Sequence, residues 1–342
     1  MTMKDVAKKA GVSLSTVSYA LSGNRPISAE KKLLIQKSMK ELGYRPHAIA
    51  RSLASKRTRI LALVFPPVER GVGLSELSLI TCAAQAATLK KYHLVFWSLK
   101  TKEPAELHQL LGQELVDGVI LMEVRNNDYR IPVLEQEQVP FVLVGQDDQA
   151  HTPCYVDTDF PRTMLDALSY LIAKGHRIIG FINQSEEMFK EEYGPVVRSQ
   201  KAFEQFKGML RYQGHSFFCP PSPQKAYSLV LEDLEKHKDC TAYIVMNDRI
   251  LCGVIKAIEH TKRSIPEDFS LVSIVSTASS ATLRLPALTT FELQGEKQMS
   301  LAVNKLISRL DNTYCELSES LFPCILVERQ SSGPVTKEKR ND

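Results

Sequence analysis

No run in this 342-residue chain approaches the roughly 18 consecutive apolar residues that a membrane-crossing helix needs, so no membrane partner is expected. The seven cysteines (Cys82, Cys154, Cys219, Cys240, Cys252, Cys315 and Cys324) are scattered, with no C-x-x-C pair. That argues against a disulfide framework or a zinc site and for reduced thiols in a cytosol. The chain opens with no apolar leader, which adds to the expectation of a cytoplasmic protein. Neither G-x-S-x-G nor H-E-x-x-H occurs, and the eight histidines are dispersed. The nearest glycine cluster, Arg70-Gly-Val-Gly-Leu74, lacks the Lys and Ser/Thr of a phosphate-binding loop. The sequence therefore predicts no enzyme, no metal and no cofactor.

Acid is scarce at one end. Residues 1–59 carry 13 Lys+Arg against 3 Asp+Glu, a net of +10, whereas the other 283 residues carry 30 against 36, a net of −6. A cationic head on an acidic body is the footprint of a protein that lays one end on a polyanion. The head is not a structureless basic arm. Thr2 to Asp5 reads as a capping box, Val6, Ala7 and Ala10 line one helix face, and Gly11 suits the positive φ of a tight turn. Val12 pins the turn. Ser13 is a good N-cap for a second helix to about Leu21, with Val17 and Leu21 inward and Ser15, Thr16, Ser18 and Tyr19 outward. A third helix runs from Ser28 to about Leu42, with Leu33, Leu34, Ile35, Met39 and Leu42 as core candidates, and Gly43 stops it. This is the helix-turn-helix plan, in which the second helix enters the major groove.

Met3-Lys-Asp-Val-Ala-Lys-Lys-Ala-Gly-Val-Ser-Leu-Ser-Thr-Val-Ser18 closely resembles the opening of the LacI/GalR family of bacterial regulators, as do Glu41-Leu-Gly-Tyr-Arg-Pro46 and Ala50-Arg-Ser-Leu-Ala54. The resemblance implies that Leu14, Ser15 and Tyr19 read bases and that Ser13, Thr16, Ser18, Asn24 and Tyr44 touch the DNA backbone. It also implies a hinge helix over about 46–55, with Leu53 as a minor-groove wedge and Arg51, Lys56, Arg57 and Arg59 near phosphates. Tyr19 stands where the family often has Arg. Losing a bidentate guanine contact, worth roughly 1–3 kcal/mol of discrimination, implies a different base preference there.

Beyond Arg59 the texture changes. Continuous apolar runs at Ile60–Phe65, His93–Ser98, Gly118–Met122, Pro140–Gly145, Ile178–Ile182, Ala242–Met246 and Ser270–Val275 read as parallel strands buried on both faces. Amphipathic stretches at about 75–91, 103–114, 160–174, 196–213, 224–237, 248–261 and 295–310 separate them. About 280 residues of alternating strand and helix exceed one comfortable core, so two parallel α/β sheets are expected. Leu115-Val-Asp-Gly-Val-Ile120, Gly175-His-Arg-Ile-Ile-Gly-Phe181, Asn247-Asp248 and Leu285-Pro-Ala-Leu-Thr-Thr290 resemble the family's two-lobed, periplasmic-binding-protein-like core. The implied organisation is an all-α head (1–45), a hinge and linker (46–59), and a two-lobed effector-binding and dimerisation unit (60–330). Lobe one would be about 60–168 with 292–320, and lobe two about 169–291 with 321–330. A polar tail (331–342) would follow, with no leucine and hence no heptad for a coiled coil.

In open parallel sheets, ligands sit beyond the carboxyl ends of the strands. Polar residues there include Glu69, Arg70, Glu123, Arg125, Gln146, Asp147, Asp148, Asp157, Asp159, Asn183, Gln184, Asn247, Asp248, Ser276 and Thr277. Such a ring suits a small polar effector, with Phe65 or Trp97 as a stacking face. Asp159 and Asp248 sit where a helix cap would also sit. Sugar-responsive family members commonly carry an Asp where register places Val275, and an Arg where Ser199 stands; Arg198 is one position away. The expected effector therefore differs from a simple hexose and is contacted by Arg198, with Glu69 as a second contact.

These features predict a sequence-specific DNA-binding transcriptional regulator, a repressor by family default. It would bind a pseudo-palindromic operator in double-stranded DNA as a homodimer, with its affinity set by the cleft effector. The alternative is a DNA-binding regulator controlled by a protein partner, or one lacking a small-molecule effector. A transport-type solute-binding protein would suit the body but not the basic head.

Overall fold

The computed structural model describes residues 1–22, 25–44, 57–67, 71–148, 154–282, 286–311 and 320–335. The head packs α1 (Met3–Ala10), α2 (Leu14–Ser22) and α3 (Ala29–Glu41) around Val6, Ala7, Ala10, Val17 and Ile35. The Thr2–Asp5 capping box forms, and Gly11 closes α1 in the left-handed region at φ 62°. Met39 and Leu42 join the core, one and two turns beyond Ile35 on the same face. Leu33 and Leu34, expected in the core, are instead 70% and 45% exposed. At 100° per residue they point away from the stripe that Ile35 sets.

The first sheet contains β1 (Ile60–Phe65), β2 (His93–Ser98), β3 (Gly118–Met122), β4 (Phe141–Val144) and β5 (Tyr155–Thr158). Helices α4 (Leu74–Leu89), α5 (Pro104–Leu111) and α6 (Arg130–Gln136) connect them. The second lobe follows with α7 (Phe160–Ala173), β6 (Ile178–Asn183), α8 (Glu186–Lys190), α9 (Gly194–Leu210), β7 (Gln213–Phe218) and α10 (Pro223–Lys236). It continues with β8 (Ala242–Val245), α11 (Leu251–His260), β9 (Ser270–Ser276), α12 (Ala278–Thr282) and β10 (Thr289–Glu292). The chain then returns through α13 (Gly295–Leu310) and β11 (Leu321–Phe322) and ends on β12 (Ile325–Val327).

Strand order is β11-β5-β4-β3-β1-β2 in one sheet and β12-β10-β9-β8-β6-β7 in the other. Neighbours are parallel except β12 against β10. Strand period 2 sorts the side chains. Leu61, Leu63 and Phe65 share a cluster with residues of α4 and α13, while Ala62 and Val64 share one with residues of α5 and α6. Both faces are thus covered, which is why these strands read as unbroken apolar runs.

The crossovers differ from the expected lobe boundaries. Phe160, Met164, Ala167, Leu168 and Leu171 of α7 pack with Phe181, Phe203 and Ile274, so lobe two begins at about 160 rather than 169. Leu321–Phe322 pairs with β5, so lobe one reaches 322 rather than 320. The start of the polar tail is also not free. Ser331 is fully buried, its hydroxyl bridges Leu271 O and Thr289 N, and Val335 N donates to Lys174 O.

The linker end is fixed to lobe one. Thr58 N and Oγ1 donate to Asp117 Oδ1 at 2.6 and 2.8 Å, and Arg59 N donates to Asp117 Oδ2 at 2.9 Å. Arg57, expected near phosphates, donates instead to Asp311, Tyr92 Oη and Leu310 O.

Candidate DNA-reading face and inter-lobe cleft

The exposed start of α2 is a cluster of hydroxyls. Ser13 Oγ accepts from Thr16 N at 3.1 Å and lies 2.8 Å from Ser15 Oγ and 2.7 Å from Thr16 Oγ1. Leu14 is 43% exposed, an apolar side chain that the head core does not use. Ser18 and Tyr19 follow one turn later, half-buried, with the Arg25 guanidinium 5.2 Å from the Tyr19 ring centre. The fold thus brings Ser13, Leu14, Ser15, Thr16, Ser18 and Tyr19 onto one short helix. Tyr44 stands apart, half-buried against the head core. Asn24, Arg51, Leu53 and the hinge lie outside the described residues.

Between the lobes is a cleft enclosing about 850 Å³ of non-protein space, part of it open to solvent. Glu123, Asp157, Gln184, Asn247 and Asp248 line it from the strand ends. Glu123 turns into it through a left-handed backbone (φ 56°), and its carbonyl accepts from Arg130 Nη2 at 3.2 Å. Arg130 is itself fully buried and clasped by Asp128. Burial opposes the Asp128 charge, but the Arg130 guanidinium and backbone N–H donors prevail and hold its carboxyl below the ordinary range. Asn247 caps the turn before α11 by accepting from Arg249 N, which aims the start of that element at the cleft.

Arg198 of α9 stands behind this wall. Its Nη2 donates to Asp157 Oδ2 at 2.7 Å, and its guanidinium lies 5.4 Å from the Phe160 ring centre. Nη1 is 3.9 Å from Asp148 Oδ1, beyond hydrogen-bond reach, and among the described residues neither Nε nor Nη1 has a hydrogen-bond partner. Burial pushes the Asp157 carboxyl up to about 6, against the pull of Arg198 and of the Thr158 N–H. Val275 lines the cleft at φ 57°, a left-handed conformation that costs a β-branched residue energy. Its carbonyl accepts from Ser75 Oγ at 2.9 Å across the lobes.

Both rims of the cleft are bridged. On one side Tyr193 Oη donates to Glu123 Oε1 (2.7 Å), Asn126 N donates to Glu192 O (3.2 Å), and Glu191 takes both Arg125 (3.1 Å) and Lys102 (2.6 Å). On the other, Arg249 Nη2 donates to Gly71 O at 2.8 Å.

Three expected effector contacts are placed elsewhere. Phe65 is buried in lobe one against Phe96, on the α4/α13 face. Trp97 is on the edge strand β2, packed in the opposite cluster with α5 and α6. Asp159 spends its carboxylate capping α7 through Arg162 N. Glu69 lies outside the described residues. The aromatic faces that line the cleft are Phe160 and Tyr193. The candidate set omitted both, although Tyr193-Gly-Pro195 marks a helix start that could have pointed to the second.

A model for the bacterial regulatory proteins of the lacI family matches residues 2–47, and one for a periplasmic binding protein-like domain matches residues 168–332. The chain belongs to the lacI family of bacterial regulatory proteins. It is 29% identical over 294 residues to catabolite control protein A of Priestia megaterium, covering 84% of this chain and 86% of that protein. It is 28% identical over 356 residues to the transcriptional repressor PurR of Klebsiella pneumoniae (strain 342), covering 99% of each. The Lac repressor dimer bound to operator and the anti-inducer ONPF shares the fold, with a TM-score of 0.80 at 21% identity over 97% of this chain and 99% of that one. As a member of this family the protein is a DNA-binding transcriptional regulator.

Proposed function

We propose that this regulator represses transcription as a homodimer on a pseudo-palindromic operator, and that a small polar effector other than a simple hexose sets its grip from the cleft. The observation that carries the effector reading is Arg198, a buried guanidinium whose Nε and Nη1 have no hydrogen-bond partner among the described residues behind the cleft wall. Val275 supports it. By family resemblance a sugar-binding Asp stands there, and here the position is apolar. Glu76, Glu123, Asp157 and Asp248 outnumber Arg249 in the lining, which favours a ligand bearing N–H or O–H donors. The contacts we assign are Glu123, Asp157, Asn247 and Asp248, with Arg198 in support.

On DNA, Leu14, Ser15 and Tyr19 are assigned to base edges, and Ser13, Thr16, Ser18, Asn24 and Tyr44 to the backbone. Arg51 and Leu53 are assigned to the hinge contact. One head offers a small contact area, and two heads match a symmetric site. The ligand acts only through its preference for one lobe arrangement.

Sequencing genomic fragments bound by the full-length protein tests the DNA half. A short pseudo-palindrome upstream of a few genes is expected; binding without sequence preference would defeat it. Metabolites of those genes are then titrated against the operator complex of the wild type and of Arg198→Lys, which keeps a charge beside Asp157 but loses the guanidinium fork. A response weakened at least about tenfold in the variant is expected. An unchanged response would remove Arg198 from the site, and tight binding of common mono- and disaccharides would defeat the effector class.

A further inference from the structure

Far from the cleft ends of the strands, three histidine and aspartate side chains converge on the outer part of lobe two. His215 is on the edge strand β7, in register with Gly180 of β6, which is in register with Tyr243 of β8. Gly180 leaves the room for this row: a Cβ there would fall 2.3 Å from the Tyr243 ring and 2.9 Å from His215 Nε2. The last turn of α10 covers the row. Asp233 and the cap residue His237, four apart, share a helix face. His215 Nε2 is 2.8 Å from Asp233 Oδ2, and His237 Nδ1 is 3.1 Å from Asp233 Oδ1. The two imidazoles stack at 3.8 Å, and one ligand atom from each of the three residues falls within 4.8 Å of the others.

We propose that His215, Asp233 and His237 bind a divalent transition-metal ion of the zinc class. Zinc bonds of about 2.0–2.2 Å to nitrogen and oxygen place tetrahedral ligand atoms roughly 3.3–3.5 Å apart, so the 2.8 and 3.1 Å nitrogen–carboxylate contacts must lengthen slightly, and the stacked rings must turn until both imidazole planes meet at the ion. Two imidazoles and one carboxylate favour zinc, nickel, cobalt or copper over magnesium or calcium, which take oxygen ligands. Tyr243 Oη donates to Asp233 Oδ2 and orients the carboxylate from outside the ligand set. His237 has 39% of its side chain exposed, which leaves a route to the site and a coordination position for water. The spacing Asp233-x-x-x-His237 is visible in the sequence, but the third ligand arrives only through the sheet. That is why dispersed histidines predicted no metal.

The test uses tag-free, full-length protein stripped with a chelator, with zinc chloride by calorimetry and cobalt chloride by visible absorption. One ion per chain, a tetrahedral cobalt spectrum and a zinc-dependent rise in melting temperature are expected. His237→Ala and His215→Gln should each weaken binding at least about tenfold. His108→Ala is the control, since His108 pairs with Glu137 at 2.7 Å as a lone histidine–carboxylate contact. No stoichiometric binding, or equal binding in the wild type and in His237→Ala, would overturn the proposal and leave a hydrogen-bonded cluster. His237 is partly exposed, so its removal leaves a folded protein to measure even where His215→Gln does not.

Discussion

His176 stands just before β6 with its ring 2% exposed, hydrogen-bonded to Thr241 Oγ1, Ser270 Oγ and Gly333 O. Burial pushes its imidazole down from 6.5 to about 4. The unfolded chain therefore takes up a proton that the folded chain refuses. The stabilisation from His176 is complete above pH 6.5 and is lost as pH falls toward 4. Asp157 runs the other way: its folded value of about 6 lies above the ordinary 3.8, so its contribution is present at low pH and lost as pH rises through 6. The two slopes oppose each other in one window and mask each other in the wild type. Unfolding free energies from urea melts of the wild type minus those of His176→Gln should grow with pH between about 4 and 6.5, at roughly 1 kcal/mol per unit, and then level off. A flat difference would mean that the folded protein does not hold His176 neutral. At this scale the sequence was only partly legible. Glu123, Asn247 and Asp248 line the cleft because they follow strands. Phe65 and Trp97 fail because side-chain parity and edge position, not chain order, decide where an aromatic points.

Among the elements, α3 shows what periodicity can and cannot say. It was readable as a helix from Ser28 and Gly43, but its composition offered five apolar candidates for a face that takes three. Ile35→Ala should cost the head about 2–5 kcal/mol and abolish operator binding while leaving the two lobes folded. Leu33→Ala should stay within about 0.5 kcal/mol. Thermal melts with anisotropy on operator DNA separate the two, and equal losses would put the face in the wrong place. Ser13→Ala removes the bond from Thr16 N that caps α2 and should cost about 1 kcal/mol, together with the hydroxyl we assign to the DNA backbone. Buried strands announced themselves as apolar runs. β5, β7 and β10 did not: Asp157 ends one toward the cleft, β7 is an edge with Gln213, His215 and Ser216, and β10 is two threonines and Phe-Glu. Polar residues enter strands at edges and clefts, which is why Asp157 and His215, each assigned to a proposed site, lie on strands that no apolar run marked.

At the scale of the whole molecule, two sheets are joined by three crossovers and bridged by polar contacts at both rims. Lys102 and Glu191 are 59% and 39% exposed, so their ion pair adds little, and the lobes are held by a handful of weak bonds. Tyr193→Phe deletes the bond to Glu123, worth about 0.5–1.5 kcal/mol, and should shift the lobe equilibrium toward opening by roughly twofold to thirteenfold. Dye pairs on α5 and α10 would read the shift; an unchanged distance distribution would remove Tyr193 as a latch. Two lobes were legible from length and strand count, whereas the crossovers at 160 and 322 depend on which core each segment fills. The Asp117 carboxylate adds a mechanical consequence. By holding Thr58 and Arg59, it keys the described end of the linker to the first lobe. Cutting that key with Asp117→Ala is expected to leave operator binding in place and to weaken its response to the effector proposed for the cleft.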